Sequence, residues 1–138
     1  MKRRAFVVGA AALAAASCAK KPRCRRCGMA LDPKARFYAE IRGPGDRVDG
    51  FDTPKCALTV WLSGAASPDR SLWVTGYYGG KLMPATEVSF AVGSDVMGPM
   101  GHDLVPVERD RAAVFQRDHA AKEMRELSKI DKALAEST

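Results

Sequence analysis

Residues 24–29 read CRRCGM: two cysteines three apart, set among arginines, with a glycine and a methionine directly after. Three kinds of chemistry use such a pair: a redox disulfide, half of a zinc site, or a clamp for a soft metal. The remaining sulfur in the chain weighs between them. A structural zinc site takes four nitrogen or sulfur ligands, as a rule from two paired motifs, and no second Cys-x-x-Cys and no His-x3-His occurs. A thioredoxin-type pair lies between a strand and the helix whose N-terminus lowers the thiol pKa. Nothing strand-like precedes Cys24, and GMALDP breaks a helix instead of starting one, although Arg23, Arg25 and Arg26 favour thiolate electrostatically.

The methionines favour the soft metal. Met29 lies two residues past Cys27, with Gly28 allowing a tight fold between them. DVMGPMGH (Asp95–His102) places Met97, Met100 and His102 in a loop rich in glycine and proline. A methionine in such a turn serves no burial period, and thiolate with thioether ligands selects Cu(I) over harder ions. Cu(I) held by Cys and Met from two distant loops is the sharpest hypothesis. Blander readings stay open beside it. Cys24 and Cys27 can form a disulfide in an oxidising compartment, and Met29 and Met100 can fold over a small core as gap-fillers. Cys56, with Ala57 and Trp61 nearby, reads as a buried core thiol, and His119 as a structural histidine on an apolar helix stripe.

The chain of 138 residues opens MKRRAFVVGAAALAAASCAKK. Lys2, Arg3 and Arg4, an apolar run from Ala5 to Ala16, and small residues before Cys18 describe an export signal. The run is too short to cross a bilayer, which takes about 20 residues. Small residues followed by cysteine resemble a bacterial lipoprotein signal with Cys18 acylated, and Arg3-Arg4-Ala5-Phe6-Val7 resembles a twin-arginine signal. The expectation is a lipid-anchored protein of the cell envelope, facing the periplasm. Lys20, with no aspartate directly after Cys18, leans to the outer membrane. Three of the 22 Lys and Arg fall in residues 1–17 and none of the 16 acids do. The mature chain thus carries about +3. Much of that sits in KKPRCRRC, a solvated tether near anionic lipid, so the basic balance does not argue for nucleic acid.

These side chains need elements to hold them. RFYAEIR alternates as a strand, GPGD turns, and RVDGF is a second strand. DTPKCALTVWLSG reads as a helix capped by Asp52 or Thr53 with Pro54 at its first position. SLWVTGYY is a third strand. EVSFAVG, the loop SDVMGPMG, the strand HDLVPVE and a helix over RDRAAVFQRDHAAKEMREL repeat that order. The fold class expected is α+β: two small strand–strand–helix–strand units packed as one compact domain.

With CRRCGM, FDTPKCA, WVTGYY, VGSDVMGPMGHDLVPV and AAVFQRDH in this order, the chain resembles the NosL family over nearly its whole mature length. These are copper-binding lipoprotein accessory factors of nitrous oxide reductase. The resemblance implies one Cu(I) per chain, a fold of two such units related to organomercurial lyase, and copper handed toward nitrous oxide reductase or its maturation transporter. Cys27 and Met29 match the family's Cys-Gly-Met, and Met100 its Gly-Pro-Met-Gly. These three form the expected ligand set, with Cys24, Met97 and His102 as further candidates. One departure stands out: the family continues past its last helix to a short strand, whereas DHAAKEMRELSKI reads here as continued helix.

The expected organisation is a lipoprotein signal peptide at 1–17, a lipid-anchored tether with Cys-x-x-Cys-Gly-Met at 18–35, a NosL-like domain at 36–130 and a polar tail at 131–138. The expected activity is a metallochaperone working by ligand exchange, not an enzyme. The main rival is a thiol–disulfide redox protein using Cys24 and Cys27, which requires a depressed thiol pKa. A second rival is cleavage of organometallic bonds, which requires cysteines beside an acid such as Asp49 or Asp52 as proton donor.

Overall fold

The structure, a computed structural model, describes residues 20–64 and 67–138. The expected signal peptide and Cys18 lie outside the described residues.

Nine short strands and three helices follow one another among the described residues. In the first half, β1 (Ala39–Arg42) and β2 (Val48–Phe51) form a hairpin, α1 (Pro54–Ser63) follows, and β3 (Ser71–Thr75) returns. The chain then adds β4 (Leu82–Pro84), giving an antiparallel sheet in the order β2-β1-β3-β4. The second half runs β5 (Val88–Val92), a two-stranded hairpin β6 (Met97–Gly98) and β7 (Gly101–His102), then β8 (Val105–Glu108), α2 (Ala112–Asp118) and β9 (Glu123–Arg125). Its sheet has the order β8-β5-β9. Both halves therefore show strand, strand, helix, strand, with the first strand in the centre of the three. This is the α+β duplication expected from the sequence.

Alternation explains the strands and burial locks their register. Ala39 faces Phe51 across one edge of β1 and Val74 across the other, and all three side chains are fully buried. A slip by one residue would turn this set to the opposite face. The main core joins both sheets, with Ile41, Phe51 and Val74 packed in one cluster with Val88, Phe90 and Leu104. Backbone bonds tie the halves further. The Tyr77 N–H donates to the Pro106 carbonyl at 2.9 Å, and the Glu108 carboxylate accepts from the N–H groups of Tyr78 and Gly79.

Helix α1 begins as its sequence requires. Thr53 is the N-cap, its hydroxyl oxygen accepting from the Cys56 N–H at 3.1 Å, and Pro54 occupies the first turn where its missing N–H costs nothing. Thr53 and not Asp52 caps the helix, which leaves the Asp52 carboxylate for other partners.

Three expectations are corrected. The second helix is short: α2 ends at Asp118, and residues 123–125 form β9 instead of continued helix. His119 is held from outside the helix, its Nδ1 2.9 Å from the Asp95 carboxylate and its Nε2 3.3 Å from the Tyr77 hydroxyl. Ala120 then takes a left-handed conformation at φ 50°, and the Lys122 N–H bonds to the Val92 carbonyl, which starts the pairing with β5. Residues 131–138 are not a free tail. Asp131 caps α3 (Lys132–Ser137) by accepting from the Leu134 N–H at 2.8 Å, and Ala135 is buried in the main core against α1. Finally, the segment expected as a tether at 18–35 is folded where it is described. Arg23 bridges to Ala30, and Cys24 is 3% exposed within the core.

Candidate metal centre

The CRRCGM segment closes on itself. The Cys24 N–H donates to the Met29 carbonyl at 2.8 Å and the Gly28 N–H to the Cys24 carbonyl at 2.9 Å, with Gly28 in the left-handed region at φ 77°. A side chain at position 28 would be strained there. This tight loop points Cys24 inward and holds Cys27 at its rim, half-buried. Both thiols meet the start of α1, where Cys56 occupies the third helical position, fully buried.

Cys24, Cys27, Cys56 and Asp52 each offer a ligand atom within 4.8 Å of the others, and this is the one group of three or more His, Cys, Asp or Glu so placed among the described residues. All three cysteines are free thiols. The Cys27 thiol donates to Asp52 Oδ1 at 3.1 Å, and Asp52 Oδ2 is buried without a hydrogen-bond partner. A buried carboxylate oxygen beside three thiols, which bears its full desolvation cost without a partner, fits a donor set for a metal ion. The Arg26 guanidinium lies 3.8 Å from Cys56 Sγ and covers the cluster from outside.

Electrostatics set the protonation of the cluster's own groups. Burial pushes the Cys27 thiol up to about 12, with a smaller rise from its bonds to Asp52 and Cys24, against the opposing N–H donor at Met29. Burial also raises Cys56, although Thr53 and Arg26 pull the other way. Burial alone would raise Asp52 too, but bonds from Cys24, Cys27 and Cys56 outweigh it and hold the carboxyl below the usual range. At neutral pH Cys27 and Cys56 are thus protonated thiols beside an ionised Asp52 carboxylate.

The other expected ligands lie on the surface. Met29, Met97 and Met100 are 43%, 53% and 50% exposed, so none of them fills a core gap. Met29 leaves the same loop as Cys27. Met97 and His102 pair across the β6–β7 hairpin, with Met100 at its turn. That hairpin is fastened to the start of α1: Asp103 Oδ1 accepts from the Lys55 N–H at 2.9 Å, one residue before Cys56. His102 is exposed and is not in the group formed by the three cysteines and Asp52.

Cys56 and Asp52 were the residues the sequence did not single out as ligands. The signal was present in FDTPKC: a threonine cap and Pro54 fix a helix start, and a cysteine in a first helical turn is placed for chemistry more often than one in mid-helix.

The comparisons with known proteins follow this geometry. The family model for NosL matches residues 15–135. No curated protein matches the chain. Among solved structures, the crystal structure of the copper chaperone NosL from Shewanella denitrificans matches with a TM-score of 0.68 at 17% identity, covering 80% of this chain and 90% of that one. At that identity the likeness bears on the fold, which is the same arrangement of mixed helices and strands. With the family model spanning most of its length, the chain belongs to the NosL family.

Proposed function

We propose that the chain is an exported, lipid-anchored carrier that takes up one Cu(I) and passes it on by ligand exchange, making and breaking no covalent bond of a substrate. The observation that carries this reading is the convergence of three thiols from two segments on one carboxylate. Soft sulfur donors in a small, mostly buried cluster favour soft ions, Cu(I) and zinc among them, over harder ones. Membership of the NosL family, with a copper chaperone as its structural relative, decides this reading for copper.

Uptake must displace thiol protons, since thiolate is the ligand. The Cys27 thiol donates to Asp52, which the thiols hold ionised, so the displaced protons leave to solvent. Cys56 and Cys24 close the inner side, and Cys27 at the rim is the sulfur nearest to solvent. In this reading Met29 and Met100, both exposed on the surface, meet copper as it arrives or leaves. The client, nitrous oxide reductase or the transporter in its maturation, rests on the family resemblance. The envelope location rests on the Cys18 signal.

The redox alternative is weaker on physical grounds. A thiol that attacks disulfides needs its pKa near ambient pH, whereas burial pushes Cys27 up to about 12. Cleavage of organometallic bonds requires a carboxylic acid with a proton to give. Asp49 is committed to Arg25 and Arg47, and Asp52 is held ionised by the thiols.

The test is an anaerobic Cu(I) titration of the reduced chain against a chromophoric Cu(I) chelator. One copper per chain is expected, with Cys27→Ser and Cys56→Ser each weakening it by about tenfold or more. No competition with the chelator, or no effect of either serine, would sink the carrier reading. Unchanged affinity in Met100→Ala would remove Met100 alone from the ligand set.

A further inference from the structure

Beside the thiol cluster, and distinct from it, a cleft of about 430 Å³ is lined by Arg25, Arg26, Arg47 and Arg70. Asp49 is the one carboxylate among its described lining residues. The arginines arrive from three separate segments: the CRRCGM loop, the β1–β2 turn and the connection from α1 to β3. Their charge is poorly balanced. Arg25 and Arg47 share Asp49, at 2.6 and 3.5 Å. Neither Arg26 nor Arg70 has a carboxylate partner among the described residues. Arg26 reaches toward Cys56 Sγ, and the Arg70 guanidinium stands 5.9 Å from the Trp61 ring centre. Ile41 and Val60 supply an apolar part of the wall.

Like charges gathered from three segments repel, and one aspartate answers only part of that repulsion. The guanidinium fork is matched to carboxylate and phosphate oxygens, which it binds through paired hydrogen bonds. The cleft has the volume of a small-molecule site. Its charges ring an apolar wall, and the Arg25 and Arg47 side chains, 54% and 61% exposed, are open to a soluble ligand.

We propose that this cleft binds a small soluble oxyanion carrying two or more negative charges, a polycarboxylate or a phosphate compound. Such a ligand would bridge guanidinium groups from the separate segments that line the cleft. It would also draw on Arg26, the residue that covers the thiol cluster, so the oxyanion would lie next to the sulfur site without coordinating there. The proposal does not depend on copper being the cargo.

The full chain, copper-free in uncharged detergent micelles, would be titrated with citrate, inorganic phosphate or acetate at matched ionic strength. The side-chain Nε–H resonances of Arg47 and Arg70 give the readout. Saturable shifts with citrate or phosphate, and none with acetate at the same concentration, are expected. Arg47→Gln and Arg70→Gln should each weaken citrate or phosphate binding by about tenfold or more. Arg117→Gln, at an exposed pair with Asp118, should leave it unchanged. Arg47→Lys, which keeps the charge but loses the fork, guards against misfolding as the cause and should fall between. Equal response to acetate, or equal loss in Arg117→Gln, would show general charge attraction and overturn the proposal. Shifts that appear only when phosphatidylglycerol is added to the micelles would overturn it in favour of a lipid headgroup.

Discussion

Asp103 offers a test of how the methionine hairpin is held to the sulfur site. It is 4% exposed, and its Oδ1 accepts from both the Lys55 N–H at 2.9 Å and the Leu104 N–H at 2.8 Å. Burial nevertheless dominates and raises its carboxyl from 3.8 to about 6. The folded state therefore binds this proton more tightly than the unfolded chain does. Between the two values the folded protein holds more protons, so stability falls as pH rises through that window and levels off above it. Two pKa units at about 1.4 kcal/mol each set an upper limit near 3 kcal/mol for the effect. Asp103→Asn keeps the single oxygen that both N–H groups use and removes the titration. Urea unfolding of the copper-free chain at several pH values between 4 and 7.5 would be compared for the two proteins. The wild type should lose stability relative to the variant as pH rises, by an amount on the order of 1–3 kcal/mol. Parallel curves, or a wild type that gains, would refute the claim that a desolvated carboxylate clamps this hairpin.

Three further expectations can be checked directly. Because burial raises Cys27 and Cys56, copper must expel their protons, so Cu(I) affinity should climb with pH across the neutral range. Calorimetry in buffers of different ionisation enthalpy should detect about two protons released per copper, and a pH-independent affinity would contradict protonated resting thiols. Thr53→Ala removes the acceptor for the Cys56 N–H and should cost about 1 kcal/mol in thermal or urea unfolding, with Thr53→Ser recovering most of it. Phe115, fully buried against Tyr77 and His119, should cost about 3–5 kcal/mol when cut to alanine, while Cu(I) affinity, measured at low denaturant, stays near wild type.

Much of this arrangement could be read in the sequence, and the failures have local causes. Alternation found the central strands because each buries one set of side chains. Pro54 marked the first position of α1, while the choice of cap between Asp52 and Thr53 came only from the structure. The second helix was overextended because Ala112, Phe115 and His119 continue a helical stripe; nothing local reveals that His119 bonds to Asp95 and Tyr77 from two other elements. The last eight residues looked like a solvated tail since KALAEST is short and mostly polar. Asp131 as a cap and Ala135 as a buried contact become visible only when α1 is there to receive them. The metal centre was half legible. Cys-x-x-Cys announced itself, whereas Cys56 resembled any small apolar residue among Ala57 and Leu58. Its place beside Cys24 and Cys27 follows from the helix start meeting a loop some thirty residues earlier, which is a fact of topology.

The folded CRRCGM segment has a mechanical consequence. Its two thiols, Cys24 and Cys27, belong to one loop, while the third, Cys56, belongs to a helix seated in the core. An ion gripping both sides acts as a removable rivet, closing the intervening chain into a ring and removing conformational freedom from it. Loading would then stiffen the stretch between Lys20 and Leu31 and slow its cleavage by proteases, and unloading would let it breathe. Loading would thus be legible from outside, in how firmly this first described segment is fastened to the body of the fold.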